Sequence, residues 1–184
     1  MATPEATSTM TTWELDPTHS SVEFSAKHMK ITTVKGRFTK VQGTIITDLS
    51  DHTKASIDVT IDASTVDTHD AQRDGHLKSP DFLDVATFPT ITFKSKRVLA
   101  EDTVHLNVVG DLTIHGVTRE VELDTEINGI GTSPQGVTVG GFTANTVINR
   151  KDFGLVWNVA LEAGGFLVSD EIKISIDGEA VKKS

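Results

Sequence analysis

The amino-acid sequence predicts an all-β protein, an antiparallel barrel of eight strands with a short helical excursion at its mouth. Apolar residues recur at every second position in segment after segment, the pattern of strands with one buried face. The apolar residues are mostly Val, Ile, Leu and Phe, with many Thr and only 3 Met, a mixture that favours pleated sheet. Short breaks separate the segments, so neighbouring strands are expected to be antiparallel.

The strands follow one another along the whole chain. The alternating sets are Val22, Phe24 and Ala26; Ile57, Val59 and Ile61; Ile91 and Phe93; Val104, Leu106 and Val108; Val121, Leu123 and Ile127; and Ile172, Ile174 and Ile176. Segments 38–46 and 137–148 are less regular, and Gly43, Gly140 and Gly141 suggest bulges in them. Turn residues mark breaks at 49–52, 100–102, 114–117 and 128–131. About eight strands result, the number at which a closed barrel has room for one ligand.

One stretch, residues 65–85, lacks the alternation. Ser64 or Thr65 could cap a short helix that runs through Asp70 to Leu77 and ends near Ser79, which precedes a proline. This helix is expected to cross one mouth of the barrel.

The domain is expected to span residues 13–181, after a disordered arm of residues 1–12. The arm has no Lys or Arg and no apolar core, so it does not resemble a signal peptide. The expected location is cytoplasmic as the chain stands, and periplasmic or secreted if the chain is a processed form. No window approaches the roughly 18 apolar residues of a membrane helix, so no integral membrane segment is predicted.

Charge and cysteine content exclude several functions. Lys and Arg number 17 against 26 Asp and Glu, a formal charge of −9. Nucleic acid and anionic membrane faces are therefore poor candidate partners overall. The absence of cysteine excludes disulfides, thiolate metal sites and cysteine nucleophiles.

Histidine and serine spacing does not indicate catalysis. His69 and His76 lie seven residues apart, and no HExxH motif is present, so no metal is predicted. His19 and Ser20 are neighbours on an extended segment and should point to opposite faces, which prevents a nucleophile–base pair. We expect no enzyme activity and no cofactor.

Five motifs in fixed order carry a resemblance to a known family. They are WELDPTHSSVEFSAKH at 13–28, VKGRF at 34–38 followed by Gly43, RDGHLKSPDFLDV at 73–85 followed by Phe88 and Phe93, GDLTIHGVT at 110–118 and NRKDFG at 149–154. Together they resemble the YceI-like, polyisoprenoid-binding proteins. The resemblance implies a lipocalin-like barrel whose elongated cavity takes an isoprenoid chain, such as a polyprenyl phosphate or an isoprenoid quinone, as a bound ligand.

Strand parity then selects the ligand-binding residues. The wall positions are Val22, Phe24, Ala26, Phe38, Ile57, Val59, Ile61, Phe93, Leu106, Val108, Leu123, Phe142 and Ile174. His28 continues the inward parity and could donate to a head group. Arg73 and Arg150 either meet a phosphate head group or form a structural latch with nearby carboxylates.

Two other functions stay open at this point. In one, the barrel is filled by its own side chains, and the chain is a stress-related structural or interaction protein. In the other, which ranks lower, the chain is a lipid-modifying enzyme. The polar outer strand faces do not decide between a monomer and a homodimer.

Overall fold

The computed structural model describes residues 9–184, which form a sheet closed on itself. The strands are β1 Met10–Leu15, β2 Ser21–His28, β3 Thr32–Phe38, β4 Val41–Asp48, β5 Asp51–Asp62, β6 Val66–Asp67, β7 Thr90–Ala100, β8 His105–Ile114, β9 Val117–Thr132, β10 Thr138–Asn149 and β11 Glu171–Lys182. One α-helix, α1, covers Ala71–Lys78, and two 3₁₀ turns cover Ala63–Thr65 and Arg150–Phe153.

The strands close into a barrel through β11. It pairs with β10 along its length, and its other edge pairs first with β2 and then with β1. Three pairs of consecutive strands each form one bent strand: β1 with β2, β3 with β4, and β5 with β6. The two members of each pair hydrogen-bond to the same neighbouring strand or bent strand. These three bent strands and β7 to β11 make a closed eight-stranded antiparallel barrel, so the predicted fold class is confirmed.

The helix lies where it was expected, but the predicted cap is wrong. Asp70 caps α1, with its side chain accepting a hydrogen bond from the backbone N–H of Arg73 at 3.0 Å. Ser64 and Thr65 belong instead to the 3₁₀ turn, which Asp62 caps. The chain between this turn and Asp70 first pairs with β3 as the short strand β6, which keeps Ser64 and Thr65 away from the helix start.

The predicted break at 128–131 is also wrong, because β9 continues to Thr132. Ile127 pairs with Phe142 and Gly129 pairs with Gly141, so Asn128 is the extra residue of a β-bulge. Gly129 has φ 145°, a conformation that favours glycine, and the bulge therefore keeps the pairing intact where turn residues suggested a reversal. The expected bulge near Gly141 is present.

Gly43 does not form the expected bulge, since it pairs with Val59 in regular register. Close packing explains the glycine: a Cβ there would lie 2.7 Å from Leu15 Cδ1. Val104 precedes β8 and is not in a strand.

Strands extend slightly beyond both predicted domain boundaries. β1 begins at Met10, inside the predicted arm, whereas residues 1–8 of that arm lie outside the described residues. The backbone N–H of Lys183 donates to the carbonyl of Thr12 at 2.8 Å, which joins the two ends. Between residues 9 and 184, no helix is long and apolar enough to cross a membrane.

Candidate ligand-binding cavity

The barrel encloses a cavity of about 540 Å³ that is lined almost wholly by apolar side chains. This volume lies within the range of roughly 300–1,000 Å³ for small-molecule sites. The lining extends from Leu49 and His52 near the β4–β5 turn to His76 and Trp157 near α1. The cavity therefore follows the strands from one end of the barrel to the other.

Inward side chains that are only partly buried indicate that the cavity is a true hollow. Ile172, Ile174 and Ile176 of β11 line the cavity and are only half-buried, while Lys173 and Ser175 between them face solvent. Since strand neighbours point to opposite faces, the surface left accessible on the isoleucines faces the interior. A barrel packed solid with side chains would bury them.

The residues selected by strand parity all lie on this lining. They are Val22, Phe24, Ala26, Phe38, Ile57, Val59, Ile61, Phe93, Leu106, Val108, Leu123, Phe142 and Ile174. His28, Arg73 and Arg150 line the cavity as well. Their contact with a ligand remains a prediction.

Sequence reasoning missed several lining residues. Trp13 and Leu15 lie on β1, where their own alternation could have revealed them. Trp157 and Leu167 come from the segment between the second 3₁₀ turn and β11. No periodicity marks that segment, so only the tertiary structure shows that it covers the cavity.

The polar side chains of the lining gather mainly at the end near α1. His76 stacks edge-on against Trp157, with ring centroids 4.6 Å apart, and against Phe82 at 5.0 Å. Its Nε2 lies 2.8 Å from an oxygen of Asp81. With His28, these groups give one end of an otherwise apolar cavity a polar character.

Arg150 is the most buried charged residue of this polar end, with 2% of its surface exposed. Its Nε donates to the carbonyl of Ser169 at 2.9 Å, and its Nη1 donates to the carbonyls of Leu155 at 2.7 Å and Trp157 at 2.8 Å. These bonds hold the covering segment in place. Burial lowers the pKa of the guanidinium, and the nearby Asp170 opposes that shift.

One nitrogen of Arg150 has no hydrogen-bond partner. Nη2 is buried and lies 3.6 Å from an Asp170 carboxylate oxygen, beyond hydrogen-bonding distance. Leaving a buried donor of a charged group unpaired is costly.

Arg73 is held by a threonine, so the expected Arg–carboxylate latch is wrong for this residue. Its Nε donates to Thr68 Oγ1 at 2.8 Å, and its Nη2 donates to the Thr68 carbonyl at 2.9 Å. Asp74 accepts from the backbone and hydroxyl of the same threonine. Thr68 thus ties α1 to the barrel, because it offers both a donor and acceptors next to the helix.

A small cluster outside this cavity contains Asp16, His19 and Glu179. His19 Nδ1 lies 2.9 Å from an Asp16 oxygen and 3.7 Å from a Glu179 oxygen. Hydrogen bonds from Thr18 and His19 lower the pKa of Asp16 to about 2, and Asp16 raises the pKa of His19. Ser20 Oγ donates to the Glu179 carbonyl at 3.2 Å and does not pair with His19.

Comparison with known proteins agrees with the motifs. The YceI-like domain model matches residues 13–180. A UPF0312 protein of Staphylococcus aureus strain N315 is 37% identical over 171 residues, which cover 92% of this chain and 97% of that protein. The structure of the Campylobacter jejuni YceI protein is 32% identical and superposes with a TM-score of 0.72, covering 86% of this chain and 90% of that one.

A more distant structure has the same fold. A polyisoprenoid-binding domain from Saccharophagus degradans is 16% identical, with a TM-score of 0.71 over 93% of this chain and 98% of its own. At that identity, the likeness establishes the fold alone. The family model and the closer relatives carry the assignment further: this chain belongs to the YceI-like domain family.

Proposed function

We propose that this protein binds a long-chain isoprenoid, or an apolar lipid of similar shape, inside its barrel and sequesters or carries it without altering it chemically. The hollow apolar interior carries the proposal, above all the partly exposed inward face of Ile172, Ile174 and Ile176. The Saccharophagus degradans domain, named for polyisoprenoid binding, has the same fold and supports the proposal.

The wall provides affinity for a tail. Each methylene transferred from water to an apolar surface contributes about 0.8 kcal/mol, so several isoprene units along the barrel bind without any hydrogen bond. Apolar walls select the length and girth of a ligand. They do not select its head group.

The polar end provides the site for a head group. Arg150 lines this end, and its positive charge would attract an oxygen of a head group, which both a phosphate and a quinone carbonyl have to offer. His28 and Arg73 line the same end. The proposed orientation therefore places the head near α1 and the tail toward the β4–β5 turn.

The two tryptophans of the chain allow a test of binding and orientation together. Trp157 lies at the polar end and Trp13 lies on the lining contributed by β1. An isoprenoid quinone, which quenches nearby indole fluorescence, would be titrated into lipid-free Trp13→Phe and Trp157→Phe variants. We expect strong quenching in Trp13→Phe, which retains Trp157, and weaker quenching in Trp157→Phe. Stronger quenching of Trp13 than of Trp157 would indicate that the ligand binds in the opposite orientation.

Head-group selectivity needs a separate comparison. Affinities for a polyprenyl phosphate and for its dephosphorylated alcohol would be measured with Arg73→Ala, and with Arg119→Ala as a control on an exposed position. If Arg73 recognises charge, Arg73→Ala weakens binding of the polyprenyl phosphate more than binding of the alcohol. Equal loss for both ligands would reject charge recognition by Arg73. No uptake of phosphate, alcohol or quinone by the wild-type chain would refute the carrier proposal itself.

The hollow interior also counts against the alternative of a filled barrel that acts only through its surface. In a filled barrel the apolar wall would be covered by packing contacts, whereas here part of it remains accessible.

A further inference from the structure

Large apolar side chains are exposed beside the polar end of the cavity. The turn between β2 and β3 presents Met29 at 39% and Ile31 at 76% exposure. The neighbouring hairpin, residues 159–167, presents Val159 at 44% and Phe166 at 54%. We call these four residues, together with Lys30 at the tip of the turn, the rim.

Hydrogen bonds join the two parts of the rim into one surface. The backbone N–H of Met29 donates to the carbonyl of Leu167 at 2.9 Å, and His28 forms a β-bridge with Val168. Met29 and Lys30 have φ values of 54° and 59°, which project them at the tip of a tight reverse turn. The two segments that carry the exposed apolar groups therefore lie side by side, unlike the scattered groups that any surface carries.

The rim borders the cavity directly. Lys27 and His28 line the cavity immediately before Met29, and Leu167 and Val168 line it immediately after Phe166. A surface seated against the rim would thus lie next to the polar end of the lining.

Charge along the β2–β3 part of the rim is opposite in sign to that of the whole protein, whereas the hairpin 159–167 carries one acidic residue, Glu162. Between Phe24 and Thr47 the sequence has five cationic residues and no Asp or Glu, although the chain carries a net charge of −9. These residues are Lys27, Lys30, Lys35, Arg37 and Lys40. Arg37 and Lys40 lie 3.7 and 3.9 Å from Asp67 and Asp62, respectively, but these contacts are away from the tip. Because salt limits electrostatic reach to about 10 Å at 0.1 M, the local charge decides which surface the rim attracts.

We propose that the rim docks onto a lipid bilayer that contains anionic phospholipids. Ile31, Met29 and Phe166 would enter the boundary between head groups and acyl chains, and Lys30 with Lys35 would face the lipid phosphates. Exposed apolar groups beside a basic β2–β3 turn that has no acidic residue are the complement of an anionic bilayer. The overall acidity of the chain would limit the docking to this one face.

Vesicle binding tests the docking independently of the carrier function. The full chain would be floated with phosphatidylcholine vesicles, with and without phosphatidylglycerol, and with no isoprenoid present. We expect binding to the anionic vesicles that falls as salt is raised, and little binding to phosphatidylcholine alone. No binding to either kind of vesicle would overturn docking and leave the carrier proposal untouched.

Matched variants separate the rim from the rest of the surface. Lys30→Glu should weaken binding by about fivefold or more, given about 1 kcal/mol for each basic residue near an anionic surface. Ile31→Ser should weaken it by roughly tenfold through lost apolar burial. The controls are Lys94→Glu on β7 and Leu99→Ser, at 50% exposure toward the opposite end of the barrel. Equal weakening by the controls would overturn the assignment to the rim.

The same variants detect a second copy of the chain as the occupant of the rim. Sedimentation of the wild type without vesicles is expected to show that the rim does not drive self-association. Self-association that Ile31→Ser abolishes, combined with an absence of vesicle binding, would replace the bilayer with a dimer partner.

Discussion

Filling the cavity from its own wall should stabilise the lipid-free protein. Ala26 and Ala55 line the cavity and are half-buried. Replacing either with Leu adds three carbons toward the hollow. At about 0.8 kcal/mol for each carbon, full burial would contribute about 2.4 kcal/mol. Because part of the added surface would still face the hollow, we expect an increase of about 1 kcal/mol in the free energy of unfolding.

If the interior were filled, the same substitutions would lower the free energy of unfolding. Inserting methylenes into a well-packed core forces strain and typically costs about 1–3 kcal/mol. Urea unfolding of the lipid-free Ala26→Leu and Ala55→Leu variants measures the difference. Ser56→Leu, on the outer face of the same strand as Ala55, is the control and should change stability by less than about 0.5 kcal/mol.

Lipid affinity should move in the opposite direction from stability. The added carbons occupy space that a tail would fill, so both cavity variants should bind an isoprenoid roughly tenfold more weakly. Destabilisation of both variants by more than 1 kcal/mol would refute the hollow-barrel reasoning.

Three further predictions concern single interactions. Arg150→Met removes three hydrogen bonds from a buried guanidinium to carbonyls, so the free energy of unfolding should fall by about 3 kcal/mol; a loss below about 1 kcal/mol in urea unfolding would contradict their structural role. In an NMR titration, the pKa of His19 should lie above its ordinary value of 6.5, and Asp16→Asn should return the pKa toward 6.5. The attraction between His19 and Asp16 is fully present below pH 6.5 and is lost as the pH rises through the raised pKa of His19. Asp70→Ala should cost about 1 kcal/mol through loss of the helix cap, whereas Ser64→Ala should have a smaller effect; the same loss for both would contradict the capping assignment.

The wall of the cavity could be predicted because strand parity is a local property. Ile57, Val59 and Ile61 alternate with polar neighbours, and period-two geometry alone places them on one face. The prediction failed at Asn128 because a bulge and a reverse turn use the same residue types. The sequence does not distinguish them, since the choice depends on whether the partner strand continues.

The polar end depends on contacts between residues far apart in the chain. Arg150 is held by carbonyls up to 19 residues away, and the covering segment is fixed by the bridge from Val168 to His28. Glu179 reaches His19 only through the pairing of β11 with the first strands. None of these pairings leaves a periodic signal, so the sequence suggested Arg150 as a site residue without showing what it binds.

Native mass spectrometry of the intact chain tests the central claim most directly. The protein would be incubated with an isoprenoid, freed of excess lipid and ionised under conditions that preserve its fold. One lipid molecule should remain on each chain and leave only when the barrel unfolds. A folded chain that retains no lipid at any concentration tested would contradict a hollow built to hold one.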